Sequence, residues 1–229
     1  MPIFRLQPEP YFPDPSLAEP EGVLAVGGDL SPRRLVAAYA GGIFPWYSKG
    51  EPILWWSPDP RVVLEPADLH ISHSLKKTLK RGIYTVTFDC AFDRVIRACA
   101  AAREESGTWI THEMERAFIR LHRLGLAHSA EAWLLDETND QPVLAGGVYG
   151  LALGAVFFGE SMFSVSDDAS KVAFVLLIRR LVERGIEMID CQVSTDHLSR
   201  FGARPIPREL FLERLRRLIA KPIPAGSWR

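Results

Sequence analysis

The sequence has little cysteine and no long hydrophobic run, and both absences restrict the class of protein it can be. Cys90, Cys99 and Cys191 are the only cysteines among 229 residues, and an odd, widely spaced set supports neither a disulfide framework nor a zinc site. No apolar run reaches the ~18 residues that span a bilayer, and the first residues show no basic segment followed by an apolar core. We therefore expect a cytoplasmic protein that is neither secreted nor embedded in a membrane.

The chain also lacks an excess of charge of either sign. Its 27 lysine and arginine residues nearly balance its 28 aspartate and glutamate residues, which gives a net charge of −1. With 47% hydrophobic and 24% charged residues, the composition is that of a globular chain with one large core or two unequal ones. A local basic cluster at Lys76, Lys77, Lys80 and Arg81 leaves two interpretations open, a solvated helix face and a contact with RNA phosphates.

The sequence does contain two parts of different character, with a predicted boundary between residues 61 and 62. In residues 1–61, Ser31 caps a predicted helix that Gly41-Gly42 ends, and prolines and tryptophans then crowd the segments 43–47 and 55–61. Such segments form rigid loops that present flat aromatic faces. These loops can stack on nucleobases, fill the core of a small domain or line a peptide groove.

Residues 62–229 show the pattern of a larger α/β (α+β) unit. The predicted strands are 61–64, 84–88, 128–135, 143–149, 153–159 and 187–193, and the predicted helices are 72–81, 91–102, 112–124, 170–184 and 207–220. Three successive strands form a meander instead of alternating with helices, so we expect a mixed sheet with helices packed on it. This order is typical of acetyltransferase-like (GNAT-like) domains, an analogy that concerns the fold alone.

No glycine-rich loop suited to a nucleotide cofactor interrupts this unit. Gly146-Gly147 and the segment 150–154 lack the GxGxxG spacing and fall within predicted strands. The loop at 165–168 carries two carboxylates and no glycine, which would repel the pyrophosphate of coenzyme A. We therefore expect no cofactor.

A carboxylate stands at the predicted end of a buried strand. Residues 143–158 are almost wholly apolar or glycine, so desolvation and neighbouring groups should shift the pKa of Glu160. Asp190 and Gln192 end a second short apolar run, and two strand ends can meet in one cleft. Acid–base chemistry is the first hypothesis. The alternatives are a structural ion pair of Glu160 with Lys171 and, for the other two residues, an exposed strand end.

Several motifs resemble those of the leucyl/phenylalanyl-tRNA–protein transferases. They are Leu24–Ser31, Gly42–Trp46, Trp55–Arg61, Gly107–Ile110, Ala127–Ser129, Gly159–Ser164, Ala169–Lys171 and Asp190–Gln192. The resemblance implies an enzyme that moves leucine or phenylalanine, and also methionine, from aminoacyl-tRNA to the N-terminal arginine or lysine of a protein, without ATP. The extended protein is then marked for degradation by the N-end rule pathway. A small N-terminal domain before an acetyltransferase-like domain is implied as well.

The resemblance also implies roles for individual residues. Catalysis is carried over to Glu160, Asp190 and Gln192. We expect Gln192 to accept a hydrogen bond from the attacking amine, Asp190 to orient the Gln192 amide from the same face of the strand, and Glu160 to hold the amine or take its proton.

Two further sets of residues are implied to bind the tRNA. The expected contacts to its 3′ adenosine and aminoacyl group are Tyr39, Trp46, Trp109, Val148, Phe158, Met162 and Thr195. The expected contacts to its phosphates are His73, Lys77, Lys80 and Arg81. Three positions depart from the family pattern, since His73 stands where arginine is usual, Phe118 where tyrosine is common and Thr195 where asparagine often follows.

Other questions stay open at the level of sequence. A coenzyme A-dependent acetyltransferase and a non-catalytic module that binds RNA or peptide are the alternative functions. Asp167 and Asp168 are candidates, on charge alone, to select the basic acceptor N-terminus. We expect a monomer without a membrane partner, although no pattern in the sequence reports the oligomeric state.

Overall fold

A computed structural model describes residues 3–102, 107–136, 138, 140–222 and 228. Its eleven strands are β1 (Phe4–Arg5), β2 (Val23–Val26), β3 (Phe44–Pro45), β4 (Leu54–Trp56), β5 (Arg61–Leu64), β6 (Thr85–Phe88), β7 (Ala127–Asp136), β8 (Gln141–Leu153), β9 (Val156–Ser164), β10 (Met188–Gln192) and β11 (Arg204–Ile206). Its seven α-helices are α1 (Pro32–Ala40), α2 (His73–Arg81), α3 (Phe92–Ala101), α4 (His112–Arg123), α5 (Ala169–Glu183), α6 (Asp196–Arg200) and α7 (Arg208–Ile219). These counts concern the described ranges only.

The strands form two sheets. A four-stranded sheet has the order β1-β2-β4-β3, and a seven-stranded sheet has the order β11-β5-β10-β9-β8-β7-β6. In the larger sheet β9 and β10 run parallel, while its other neighbouring pairs are antiparallel. The predicted mixed sheet is therefore confirmed.

Local sequence signals explain where several helices begin and end. Ser31 accepts a hydrogen bond from the backbone N–H of Arg34, Pro32 occupies the first turn of α1, and Gly42 leaves the helix with a positive φ of 75°. Ser72 caps α2 in the same way through the N–H of Leu75. Both helices lie where the capping residues predict them.

The predicted boundaries of two strands were wrong. The sequence pattern predicts strands 143–149 and 153–159, whereas β8 continues through Leu153 and β9 continues through Glu160 to Ser164. The turn between them is at Gly154, whose φ of 51° favours glycine. Gly150 lies inside β8 and does not break it. As a result, Glu160 lies within a strand and not at its end.

Helices cover both faces of the larger sheet. Val148 packs in a core cluster with α5, while the next residue, Tyr149, packs in a second cluster with α3 and α4. This second cluster continues into the small sheet, where Trp55 is fully buried and its Nε1 donates to the Gly27 carbonyl oxygen. One tryptophan of the proline-rich segments is therefore core.

The division of the chain into two domains stays a prediction. Strands up to Trp56 belong to the small sheet and strands from Arg61 onward to the larger sheet, but the two sheets share one core cluster. None of the helices in the described ranges is long and apolar enough to cross a membrane.

Candidate active site

The site lies where the two parallel strands of the larger sheet stop pairing. The register of β9 and β10 ends with Phe158 opposite Asp190. Glu160 and Gln192 each follow two residues later. Beyond the last pair, the side chains of these two residues are in contact.

A β-bulge places Glu160. Tyr149 pairs with Ser161 and Gly150 with Gly159, so Glu160 is an extra residue in β9 between two pairs. A Cβ at Gly150 would collide with the carbonyl oxygen of Phe158, so the glycine permits this close approach. Bulges re-aim side chains near functional sites, and this one turns the Glu160 carboxylate toward β10.

A second irregularity places Gln192. The register of β10 against β5 shifts between Asp190 and Gln192, and Gln192 has a φ of 62°, which is uncommon for a residue with a Cβ. The Asp190 carboxylate accepts a hydrogen bond from the Gln192 backbone N–H at 2.9 Å. This contact holds the unusual backbone conformation.

The hydrogen bonds of Glu160 define the geometry of the site. The Tyr39 hydroxyl donates to Glu160 Oε1 at 2.7 Å, and Gln192 Nε2 donates to the same oxygen at 3.0 Å. Because the nitrogen of the Gln192 amide is engaged, its oxygen remains as an acceptor on the other side. The side-chain oxygen of Gln192 can therefore accept a hydrogen bond from a ligand while its amide nitrogen stays bound to Glu160.

Enclosure within the protein raises the pKa of Glu160 to about 8. Desolvation is the largest cause, and the nearby Asp190 charge adds to it, while the hydrogen bonds from Tyr39 and Gln192 and the Arg61 charge oppose it. The pKa of Tyr39 is raised well above its usual value by burial and by Glu160, so its hydroxyl stays a donor at neutral pH. The carboxyl group can thus gain and lose a proton near neutrality.

Asp190 is held by an arginine. Arg61 Nε donates to Asp190 Oδ1 at 2.8 Å and Nη2 donates to Oδ2 at 2.7 Å, with both side chains fully buried. Arg61 Nη1 also donates to the Gly42 carbonyl oxygen, and its guanidinium lies between the rings of Phe44 and Phe211 at 4.8 and 4.7 Å. This two-point pair fixes the aspartate.

The expected way in which Asp190 acts needs correction. We expected it to orient the side-chain amide of Gln192 from a shared strand face. The bulge changes that alternation, and the described contact runs from Asp190 to the Gln192 backbone N–H instead. Asp190 thus acts on the position of Gln192 through the main chain.

A cavity of about 850 Å³ opens beside Glu160 and Gln192. Five of the seven residues predicted to bind the adenosine and aminoacyl group line it: Trp46, Trp109, Val148, Met162 and Thr195. Trp46 is 42% exposed, and its ring lies 5.5 Å from that of Trp56. The cavity combines flat aromatic rings with apolar side chains, which suits a base and a hydrophobic side chain.

The other two predicted substrate contacts, Tyr39 and Phe158, lie elsewhere. Both are fully buried and outside the cavity lining, with their rings 5.2 Å apart in an edge-on contact. Helix α1 carries Tyr39 behind Glu160, and the alternation of β9 before its bulge turns Phe158 into the core. Tyr39 therefore supports the carboxylate and does not face the cavity.

The alternative explanation of Glu160 as an ion-pair partner of Lys171 is wrong. Lys171 Nζ donates to Asp168 Oδ1 at 2.7 Å, and Asp168 also accepts from the Thr78 hydroxyl. Neither Asp167 nor Asp168 belongs to the cavity lining. Their predicted role in selecting the acceptor N-terminus therefore lacks support from their positions.

The four predicted phosphate contacts all lie on α2. His73, Lys77, Lys80 and Arg81 are exposed, and they form no ion pair with other described residues. Helix α2 packs against α5, whose residues Ser170 and Phe174 line the cavity. The basic face is thus available to a large anionic partner.

Sequence reasoning missed Arg61. The sequence did contain a signal for it, because Arg61 begins the otherwise apolar run 61–64. A buried arginine is almost always paired, so a carboxylate partner could have been expected. In the part of the chain that the structure describes, no group of three histidine, cysteine, aspartate or glutamate residues could hold a metal ion.

Two family models match the chain. The family model described as leucyl/phenylalanyl-tRNA protein transferase matches residues 63–216, and the model of the N-terminal domain of that family matches residues 28–59. A protein of Anaeromyxobacter dehalogenans (strain 2CP-C) named leucyl/phenylalanyl-tRNA–protein transferase is 60% identical over 231 residues, covering 100% of this chain and 97% of the relative. Its namesake in Magnetococcus marinus is 55% identical over 230 residues, with the same coverage.

A solved structure is similar in fold. The crystal structure of FemX matches with a TM-score of 0.51 and 11% identity, covering 77% of this chain and 66% of FemX. At this level of identity the similarity concerns the fold alone. It agrees with the expected mixed α/β fold.

Proposed function

The chain belongs to the leucyl/phenylalanyl-tRNA–protein transferase family, and from this membership we propose that the cavity beside Glu160 and Gln192 is its aminoacyl-transfer site. The substrates are an aminoacyl-tRNA and a protein. In our proposal, leucine, phenylalanine or methionine leaves the tRNA and is joined to an N-terminal arginine or lysine. The observation that carries it is the hydrogen bond of 3.0 Å between Gln192 Nε2 and Glu160 Oε1, which leaves the Gln192 oxygen free for the amine.

The reaction needs a neutral amine and little else. An aminoacyl ester is already activated, so the amine nitrogen attacks the carbonyl carbon directly. The C–N bond forms, the bond to the ribose oxygen breaks, and the proton lost by the amine ends on that oxygen or on solvent. An α-amino group has a pKa of ~7.7 to 8.0, so part of it is neutral near pH 7.

Glu160 and Gln192 act on the amine in different ways. Gln192 accepts a hydrogen bond from the amine and aims its lone pair at the carbonyl carbon. The pKa of Glu160, about 8, is close to that of the amine, so a proton passes between them at little cost. Asp190 and Arg61 act as positioning residues, because they hold Gln192 through its backbone.

The cavity wall suits the aminoacyl end of the tRNA. We propose that Trp46 and Trp109 flank the terminal adenosine, since stacking contributes roughly 1–3 kcal/mol per base. Val148 and Met162 would surround the leucine or phenylalanine side chain, and the flexible methionine adapts to either shape. Exposed residues of α2 would contact the tRNA phosphates.

The product carries a new N-terminal residue that marks it for degradation by the N-end rule pathway. Because aminoacyl-tRNA is its donor, we place the enzyme in the cytoplasm. We also propose that it acts as a monomer, since Tyr39, Arg61, Glu160 and Gln192 come from one chain and complete the site.

The test is whether the protein alone transfers leucine from leucyl-tRNA to a peptide. Purified protein is mixed with labelled leucyl-tRNA and a peptide that begins with arginine, without ATP or coenzyme A, and label on the peptide is followed. We expect transfer to arginine and lysine peptides but not to one beginning with glutamate. Binding of both substrates without transfer would indicate a binding module instead, and acetylation dependent on coenzyme A would indicate an acetyltransferase.

A further inference from the structure

The charged groups of the cavity wall are all acidic. Among the described residues that line it, Glu51 and Glu160 are the carboxylates, and there is no lysine or arginine. His197 also lines the cavity, and burial lowers its pKa, so its ring is neutral at neutral pH. A cationic ligand therefore meets no repulsion from the wall itself.

Glu51 lies at the tip of the hairpin formed by β3 and β4. Its Oε2 accepts the backbone N–H of Ser48 at 2.9 Å, and its own N–H donates to the Ser48 carbonyl oxygen at 3.0 Å. Oε1 of Glu51 has no hydrogen-bond partner among the described residues. The turn thus holds an exposed carboxylate at the cavity with one oxygen available.

The two carboxyl groups of the wall differ in exposure to solvent and in the hydrogen bonds they accept. Glu160 Oε1 already accepts two hydrogen bonds, and its raised pKa keeps most of the Glu160 population protonated at pH 7. Glu51 is exposed to solvent, and among the described residues only its Oε2 accepts a hydrogen bond. Of the nearby charged residues, Lys49 lies in the same turn. Burial raises the pKa of the neighbouring Tyr47, and the Glu113 charge adds to this effect.

We propose that Glu51 selects the acceptor by binding the cationic side chain of its N-terminal arginine or lysine. This inference rests on the transfer site proposed above. Its physical basis is that the α-amine and the side chain of the acceptor residue need different charges. The α-amine must be neutral to attack, and a fully ionised carboxylate beside it would hold it as ammonium. The side chain carries a permanent charge, and Glu51 meets that charge at the rim, away from the reacting atoms.

The test compares arginine with citrulline, its neutral isostere, at the first position of the peptide. We measure kcat/KM for both peptides in the wild type, in Glu51→Gln and in Glu213→Gln, a control on the exposed side of α7. Glutamine keeps an acceptor for the Ser48 N–H while removing the charge. The arginine-to-citrulline ratio should fall about fivefold in Glu51→Gln, the size of an exposed ion pair. It should stay constant in Glu213→Gln.

Further arms separate this inference from the function on which it rests. In Glu51→Lys the arginine-to-citrulline ratio of kcat/KM should drop below that of Glu51→Gln. In the wild type this ratio should decrease as salt is raised from 50 to 500 mM, since salt screens exposed charges. A ratio unchanged in Glu51→Gln, or reduced equally in the control, overturns the role of Glu51. If no peptide receives leucine, the proposed function fails. In that case calorimetry measures the affinity of each peptide, and the ratio of the arginine affinity to the citrulline affinity tests the role of Glu51.

Discussion

At the scale of single residues, the site depends on how one carboxyl group is surrounded. Glu160 receives hydrogen bonds from Tyr39 and Gln192 on a single oxygen, and no lysine or arginine donates to it among the described contacts. Desolvation therefore dominates, and the group stays protonated to higher pH than an ordinary glutamate. A structural ion pair would have the opposite effect.

Replacing Gln192 should affect the chemical step more than binding. In Gln192→Ala we expect kcat to fall about 100-fold, because the amine loses the acceptor that orients it. The KM for leucyl-tRNA should change less than about twofold, since the glutamine contacts the amine and not the tRNA. Steady-state kinetics with an arginine peptide measure both, with the exposed Gln7→Ala as control. Equal losses in rate and in tRNA affinity would contradict the assigned role.

The raised pKa of Glu160 also predicts how stability depends on pH. Between its ordinary pKa of 4.5 and about 8, the folded protein holds a proton that the unfolded chain has lost, so this group lowers stability as pH rises through that interval. Glu160→Gln should therefore become more stable than the wild type as pH rises from 5 to 8. We expect about 1–2 kcal/mol at pH 8, because solvent in the cavity reduces the full effect.

Urea unfolding of both proteins at four pH values between 5 and 8 measures this difference. A difference that stays constant with pH would show that the Glu160 pKa is ordinary. Glu213→Gln, which makes the same replacement at an exposed glutamate of α7, serves as the control.

At the scale of elements, two irregular strands create the site. The bulge in β9 adds Glu160 between regular pairs, and the shift in β10 gives Gln192 its left-handed backbone. With regular pairing the two side chains would follow the alternation of their strands. Glu160 and Gln192 would be neighbours in a regular parallel pair as well, two residues beyond Phe158 and Asp190, so the irregularities determine how their side chains are aimed.

Gly150 should be indispensable to this arrangement. In Gly150→Ala the new Cβ meets the Phe158 carbonyl oxygen and the Phe157 ring, so we expect a loss of about 1–3 kcal/mol in unfolding free energy. Gly159→Ala is the matched control in β9, because its Cβ would lie 3.7 Å from the Asp190 carbonyl oxygen, an ordinary contact. Thermal and urea unfolding compare the two. Similar losses in both variants would show that the bulge accommodates a side chain.

At the scale of the whole molecule, the site joins the two sheets. Helix α1 supplies Tyr39 to Glu160, and Arg61 at the start of β5 binds both Asp190 and the Gly42 carbonyl oxygen. The chain before residue 62 therefore contributes to the geometry of residues that follow it by more than one hundred positions. Separate folding of the two predicted domains would leave the site incomplete.

The exposed basic face of α2 should govern binding of the tRNA body. In Lys77→Ala and Lys80→Ala we expect weaker binding of leucyl-tRNA, and the slope of log K against log salt should decrease by roughly 1 for each lost phosphate contact. The reaction of bound tRNA should be unaffected. Filter binding at several salt concentrations measures the slope, and Arg217→Ala on α7 is the control. An unchanged slope would remove α2 from the interface.

Much of the fold follows from local patterns. Capping serines, glycine stops and apolar periodicity predicted α1, α2, α3, α4, α5 and α7, because these signals act within a few residues. The strands of the meander were predicted with misplaced boundaries, since Gly150 and Gly154 look alike in sequence and only one of them turns the chain. The short β1, β2, β3, β4, β11 and α6 were missed because they carry too few residues for a period.

The sequence by itself determined the family, the mixed fold and the identities of Glu160, Asp190 and Gln192, because motifs and periodicity are properties of the chain. Tertiary structure alone decided that Tyr39 lies behind the carboxylate, that Arg61 holds Asp190, and that Glu51 reaches the cavity. Each of these contacts joins segments far apart in sequence, and the contact of Tyr39 with Glu160 also depends on the bulge in β9. Local patterns carry no information about such distances.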